Sequence, residues 1–438
     1  MFKTKAIKFA SCLILIILAL IPFQGFLPVY LNSIVGHYTL LRLWAEFLLV
    51  VILIIAGYIF FSDSKVRKQI YNSKLIWFIK AFLVVQLIWG IVAYFNHDLS
   101  KKALAYGLLL DCRYLIFFVV VWIIALKNKT LLKKVPKTII YSALVVVGFG
   151  LLQIFVLPHN FLSHFGYGPK TIMPYQTINS NSKYVRILST LRGSNPLGAY
   201  LIIPLTMLSA YFLQKKGKLK SALMIVLTLT VLVFSFSRSA WIGALVAMLI
   251  VCFYSIRSKK IRTNLTFLLI AVLIIGSLGV YALRNNHKVQ NLIFHTQSHS
   301  SAKISSDQAH ESAVIIGIKE VLKDPVGKGP GSAGPASVYN NHPARIAEDY
   351  YVQIAQESGF IGLALYLIII GLIGYHFWRE RHNTLGLILF ASLVGISLVN
   401  VFLFAWSDDT LSYLWWGLAG IGYGALETNS ALESNSKQ

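Results

Sequence analysis

Hydrophobic positions run along this chain in blocks of about 20 residues, the length a helix needs to cross ~30 Å of hydrocarbon. Short polar connections separate the blocks. No block alternates with period two, as a lipid-facing barrel strand would, so the blocks read as helices. The pattern predicts twelve spans, at roughly 9–28, 39–61, 75–95, 103–126, 137–157, 196–214, 220–236, 239–256, 264–284, 359–378, 384–405 and 410–425. The expected fold is therefore an all-α membrane protein of about twelve transmembrane helices, with residues 1–438 as a single polytopic domain. Two polar stretches exceed a turn, at 158–195 and 285–358. The second is too long and too polar to lie in a bilayer.

That loop has a pattern of its own. From Asp307 to Lys323 the spacing is helical: Val314, Ile315, Ile318, Val321 and Leu322 share one face, with Ser312, Lys319 and Lys323 opposite. His310 and Glu311 fall on the apolar side, and Asp324-Pro325 ends the helix. Gly327 to Gly334 reads as a flexible turn. It lacks the Gly-Lys-Ser/Thr ending of a phosphate-binding loop, so no nucleotide cofactor is implied. A second helix is expected from Ala344 to Ser358, stopping at Gly359. On it Arg345, Asp349, Gln353 and Gln356 form a polar stripe, and Glu348 falls beside Val352 and Ala355. A carboxylate on that margin would be partly desolvated, which moves it toward a usable base.

Composition supports a membrane class: 56% of residues are hydrophobic and 13% charged, where a soluble domain has about a quarter charged. The net charge of +24 would suit a polyanion such as nucleic acid, but its distribution argues against that partner. Basic residues cluster in alternate connections: Lys65, Arg67, Lys68 and Lys74; Lys127, Lys129, Lys133, Lys134 and Lys137; Lys215, Lys216, Lys218 and Lys220; Arg257, Lys259, Lys260 and Arg262; Arg379 and Arg381. This is the positive-inside pattern. It puts both termini in the cytoplasm of a multi-pass cytoplasmic (inner) membrane protein. The stretches 158–195 and 285–358, and the short turn Phe236-Ser237-Arg238-Ser239, then share the extracytoplasmic face. Lys3, Lys5 and Lys8 precede an apolar run with no small-residue cleavage site, so the first helix is expected to stay. The cysteines, Cys12, Cys112 and Cys252, all lie in predicted helices, and no spacing suggests a metal site.

Several polar residues carry candidate chemistry. Arg186 and Arg192 lie just ahead of Ser194-Asn195-Pro196, the start of a span. They either anchor the helix at the interface or bind an anion beside its free N–H groups. Arg238, in its tight turn, needs a partner. Glu348 is either a base or a salt-bridge partner of Arg345 on the same helix. His310 and His342 are further candidates, against the plainer reading of solvated loop histidines. Arg42 and Glu46, four apart, are expected to pair with one another. Asp111 and Arg113 are expected to pair with other helices. Asp408 and Asp409 either complete a cationic site or cap a helix.

Arginines facing outward beside a membrane, with one or two carboxylates and no metal site, suit a lipid-linked diphosphate substrate. Departure of a diphosphate develops negative charge that arginines stabilise without a metal. A carboxylate or histidine takes the proton of an acceptor hydroxyl. The motifs Arg186-Ile-Leu-Ser-Thr-Leu-Arg192-Gly-Ser-Asn-Pro-Leu-Gly-Ala-Tyr-Leu201, Phe234-Ser-Phe-Ser-Arg-Ser-Ala-Trp241, Lys323-Asp-Pro-Val-Gly-Lys-Gly-Pro-Gly-Ser-Ala-Gly-Pro335 and Glu348-Asp-Tyr-Tyr-Val-Gln-Ile-Ala-Gln-Glu-Ser-Gly-Phe-Ile-Gly362 resemble, in this order, the O-antigen ligase and polymerase family. The resemblance implies a GT-C-like glycosyltransferase fold. It implies a polyprenyl (undecaprenyl) diphosphate-linked glycan as donor and a glycolipid, glycan or protein as acceptor. It implies that Arg186 or Arg192, with Arg238, holds the diphosphate, and that Asp349, Tyr350, Tyr351, Arg345 and Arg42 support the site. The family's ligases typically carry a His-Asn pair just before the Tyr-Leu of the last loop helix. This chain has Glu348-Asp349 there, so Glu348 stands in for the histidine or His342 reaches in from the preceding turn. Ligase and polymerase activities stay open. So does a glycolipid or solute transporter that uses Arg42, Lys80, Asp111 and Arg113 as its path.

Overall fold

The computed structural model describes residues 2–96, 99–178, 181–214, 218–256, 258–283, 285–286 and 306–435. Lys215, Lys216 and Arg257 of the basic connections, and residues 287–305 of the long polar loop, lie outside the described residues.

The chain is helical almost throughout. In order the helices are α1 (Phe2–Leu20), α2 (Phe26–Val35), α3 (Tyr38–Arg42), α4 (Trp44–Ser62), α5 (Ser64–Asn72), α6 (Lys74–Phe95), α7 (Lys101–Lys127), α8 (Thr130–Phe155), α9 (Ser194–Leu213), α10 (Lys218–Phe234), α11 (Arg238–Ser255) and α12 (Lys259–Ala282). Then follow α13 (Ser306–Lys323), α14 (Tyr350–Arg379), α15 (Thr384–Val399) and α16 (Asp409–Asn435). A helix stands over each of the twelve predicted spans. Among the described residues, eight are long and apolar enough to cross a bilayer. α15 falls short: its 16 residues reach about 24 Å at 1.5 Å per residue. It was expected to continue to residue 405. It ends at Val399 because Asn400 turns its polar groups to other work: its carbonyl accepts from the Tyr350 N–H, and its side-chain oxygen from the Trp406 N–H.

Three helices are buried on most or all sides among the described residues: α7, α9 and α16 as far as Leu426. Such helices sit at the centre of a bundle, where no face meets lipid. α16 lies along α7 through Gly417, Gly420 and Gly424, which meet Phe117, the Phe118 carbonyl and the Trp122 carbonyl. Small residues let helices approach closely where lipid supplies no hydrophobic drive between them. α11 and α15 cross in the same way, each with a glycine (Gly243, Gly395) against the other's backbone. Above this contact lies an aromatic layer: Trp406, Trp415 and Trp416 with Tyr114, Tyr350 and Tyr413, all fully buried. Outward residues such as Ile54, Phe61, Phe95, Phe155 and Ile361 are apolar and exposed, as a lipid-facing surface requires.

One element departs from the all-helical expectation. In the 158–195 stretch a small antiparallel hairpin forms, β1 (Gln176–Ile178) with β2 (Asn181–Arg186). It is too short to announce itself by alternation.

The long polar loop folds against the same end of the bundle. α13 docks through Gly317 and Val321, with Gly317 against Val352 and Ala347. Ile315, Ile318 and Leu322 turn outward and are exposed. Only part of the predicted apolar face therefore packs inward. The glycine run follows. Gly331 takes φ +86°, and a side chain there would clash with the Ala103 carbonyl of α7. The run is thus a close backbone approach rather than a flexible turn.

The helix expected from Ala344 begins instead at Tyr350. Arg345 is held in the loop: its N–H donates to Ser337 Oγ and its carbonyl accepts from the Gly334 N–H. Glu348 has φ +55°, which ends any helix running through it. Asp349 then caps the new start, accepting from the Val352 N–H at 2.9 Å. The stop at Gly359 is real as a kink, φ +67°, inside α14.

Candidate active site

A cavity of about 420 Å³ opens where the hairpin, the α10–α11 turn, the start of α13, the loop before α14 and the α15–α16 connection meet. Its lining includes Arg186, Arg238, His310 and Glu348, four residues from four separate parts of the chain. Asn195, Phe236, Ser239, Ile242, Phe402 and Leu403 complete the wall.

The hairpin delivers Arg186. Ile187 N–H bonds the Phe234 carbonyl, which ties the end of β2 to the α10–α11 turn. Arg186 Nε donates to the Ser235 carbonyl at 3.0 Å, and its terminal nitrogen to Asn195 Oδ1 at 2.6 Å. Gln176 on β1 accepts from the Ser194 N–H, clamping the hairpin to the start of α9. These bonds orient the guanidinium, but none of them is to a carboxylate. Burial pulls Arg186 down to a pKa of about 10, and the charge of Arg238 pushes the same way. Arg186 is therefore a half-buried guanidinium with a second guanidinium near it and only neutral oxygens as its own hydrogen-bond acceptors.

The same cavity is lined by His310 and Glu348, with Nδ1 and Oε2 2.5 Å apart. Glu348 is nearly half exposed, and His310 a quarter exposed. The contact was not expected: Glu348 was placed on a helix beside Arg345, whereas Arg345 faces Glu320 at 3.7 Å. Of the non-glycine residues with positive φ among those described, Phe236 (+51°) and Glu348 (+55°) both line this cavity. Strained backbone of this kind persists where the surroundings over-determine it, and it concentrates at functional sites.

The other candidates lie elsewhere. His342 lines a separate, larger groove with Trp89, Asp324, Lys328 and Arg345, and its Nδ1 faces the Pro343 carbonyl. Arg192 leaves Arg186 and faces Asp408 at 3.9 Å, in a smaller pocket next door. Asp349 is the helix cap, and burial raises its carboxyl above the ordinary range. Tyr350 donates to the Tyr114 hydroxyl and Tyr351 to the Ser397 carbonyl, so both fix α14 to its neighbours. Arg42 and Glu46 do not pair with each other. Arg42 reaches Asp409 and Tyr106; Glu46 receives Arg113 at 2.9 Å. A four-residue spacing favours pairing only on a continuous helix, and α3 ends at Arg42. Asp409, expected at most to cap or to complete a cationic site, is the hub of this network, 2.5 Å from Arg113. Asp408 caps α16 through the Thr410 N–H. Asn195, which bridges the two arginine pockets, gave no signal beyond its place at a helix start.

The cavity can hold an anion on two guanidiniums and offer a proton acceptor. No curated protein matches the chain. Residues 223–367 match the family model described as O-antigen ligase. The matched stretch contains Arg238, His310 and Glu348, while Arg186 and Asn195 reach the cavity from outside it. Residues 223–367 thus carry an O-antigen ligase domain, and that domain supports the O-antigen ligase and polymerase family for this membrane protein.

Proposed function

We propose that the protein moves a glycan from a polyprenyl diphosphate to an acceptor hydroxyl, with inversion, at the extracytoplasmic face of the cytoplasmic membrane. The convergence of Arg186, Arg238, His310 and Glu348 on one cavity carries this reading. The diphosphate lies between the two guanidiniums, which stabilise the charge it gains as the leaving group. Ile242 and Phe402, apolar and exposed at the rim, face the prenyl chain. Elsewhere on the cavity wall Glu348 holds the His310 Nδ1–H. That leaves Nε2 as the lone-pair nitrogen that takes the acceptor's proton. Attack from this wall, opposite the departing diphosphate, inverts the anomeric carbon.

Transfer in liposomes, with the lipid-linked glycan supplied on the outer leaflet, tests this. Release of polyprenyl diphosphate with the glycan on a new hydroxyl is expected, and product length separates a polymerase from a ligase. His310→Asn should lower the rate by about 10²–10⁴, and Glu348→Gln by less, since it only orients the ring. A larger loss in Glu348→Gln would move the base to the carboxylate. Full activity in both variants would sink the assignment of this wall.

A further inference from the structure

Beside the twin-arginine cavity lies a smaller pocket of about 150 Å³, which shares Asn195 and Leu403 with it. We propose that this pocket binds a neutral sugar ring of the glycan next to the diphosphate. The proposal rests on the transfer reading above and adds a site to it.

The chemistry of the pocket differs from that of its neighbour. Its polar edge is Arg192 with Asp408, Nε to Oδ2 at 3.9 Å. That distance is looser than a charge-assisted hydrogen bond of about 2.7–2.9 Å, so a hydroxyl lodged beside the pair can bridge it, donating to the carboxylate and accepting from the guanidinium. Arg192 is over a third exposed, so it reaches the open space; Asp408 is nearly buried. Burial raises the Asp408 carboxyl against the opposing pull of Arg192, and a sugar hydroxyl gives it a donor. The floor is apolar: Pro196, Pro335, Phe404 and Leu411. Such a surface suits the C–H face of a pyranose.

Charge excludes a second phosphate. Behind Arg192 stand Arg42 and Arg113, and facing these three cations are Glu46, Asp408 and Asp409. The region is balanced, and an incoming anion would meet Asp408 directly. A neutral ligand with paired donors and acceptors loses nothing here, and each polar contact it completes spares a buried group from standing unpaired. Continuity through Asn195 sets the ring next to the diphosphate.

The sugar belongs either to the donor, as the residue carried on the diphosphate, or to the acceptor. Binding to the full-length protein in detergent distinguishes them. Three probes are used: polyprenyl diphosphate, the same lipid bearing one N-acetylhexosamine, and a free neutral oligosaccharide. The expected result is a sugar-dependent gain for the second probe, or saturable binding of the third. Arg192→Gln and Asp408→Asn should erase it by about tenfold while leaving polyprenyl diphosphate alone unaltered. Loss confined to the second probe assigns the donor sugar, and loss confined to the third assigns the acceptor. The half-exposed Arg192→Gln variant serves even where Asp408→Asn unfolds. The proposal is overturned by equal weakening of the sugar-free lipid, by a sugar-dependent gain that survives both variants, or by its absence in the unaltered protein. Because binding is read without turnover, failure of the transfer reading shows separately, as sugar binding with no product.

Discussion

Two arginine regions sit side by side in this protein and are built on opposite principles. Around Asp409 the guanidiniums of Arg42 and Arg113 meet Glu46 and Asp409. Their charge is spent on the fold. In the adjoining cavity Arg186 is held by the Ser235 carbonyl and the Asn195 amide oxygen, and another arginine lies near it. The first region joins α3, α4, α7 and α16. The second turns guanidiniums toward a cavity. Identical side chains thus join helices in one place and line an open site in the other, and only the partners tell them apart.

The comparison breaks most readily at its structural half. Arg113 is buried and bound by two carboxylates. Removing one partner of such a pair strands the others, so Arg113→Ala should cost about 3–5 kcal/mol, seen as a collapse of folded yield and thermal midpoint in detergent. Survival at the wild-type midpoint would show that the network is ornamental.

At the binding half the expected effect falls on transfer. Arg238→Ala should lower transfer by about 10²–10³, with a smaller loss of ligand-free stability than Arg113→Ala. Arg186 gives the pH sense. Its folded pKa is about 10, below the ordinary 12.5, so its charge carries a stability penalty that is fully present below pH 10 and fades above it. An anion removes the same penalty at neutral pH. Saturating polyprenyl diphosphate, at 100 times its dissociation constant, should therefore add about 2.7 kcal/mol, and Arg238→Ala should abolish most of that gain. A drop in ligand-free stability equal to that of Arg113→Ala would erase the distinction between the regions.

Smaller effects sharpen the frame around the cavity. Gly331→Ala meets the Ala103 carbonyl and an unfavourable φ. It should shift the loop and slow transfer several-fold, with a stability loss of about 1–3 kcal/mol. Asp349→Ala, which removes the cap of α14, should cost about 1 kcal/mol in thermal unfolding.

Much of the architecture was legible from hydropathy, because crossing hydrocarbon demands long apolar helices and almost nothing else satisfies the backbone there. The helix over each predicted span and the punctuation at Gly359 follow from that demand. Failures came where polar residues found partners far along the chain. The Arg42–Glu46 pairing was a local rule defeated by a helix that ends at Arg42. Glu348 was placed on a helix because its spacing allowed it; the loop gave it φ +55° and the imidazole of His310 instead. The hairpin that aims Arg186 is too short for any periodicity to register.

What the sequence determined by itself was the helical membrane class, the order of the elements, the family motifs and the set of residue types from which a site could be built. Tertiary structure alone decided their company: that Arg186 joins Arg238 and not Arg192, that His310 meets Glu348 while His342 stands apart, and that Asp409 closes the structural network. The physical reason is that hydropathy acts locally and sums along the chain. The meaning of a charge depends on what lies within a few ångströms of it, and in this bundle that neighbour is tens to hundreds of residues away.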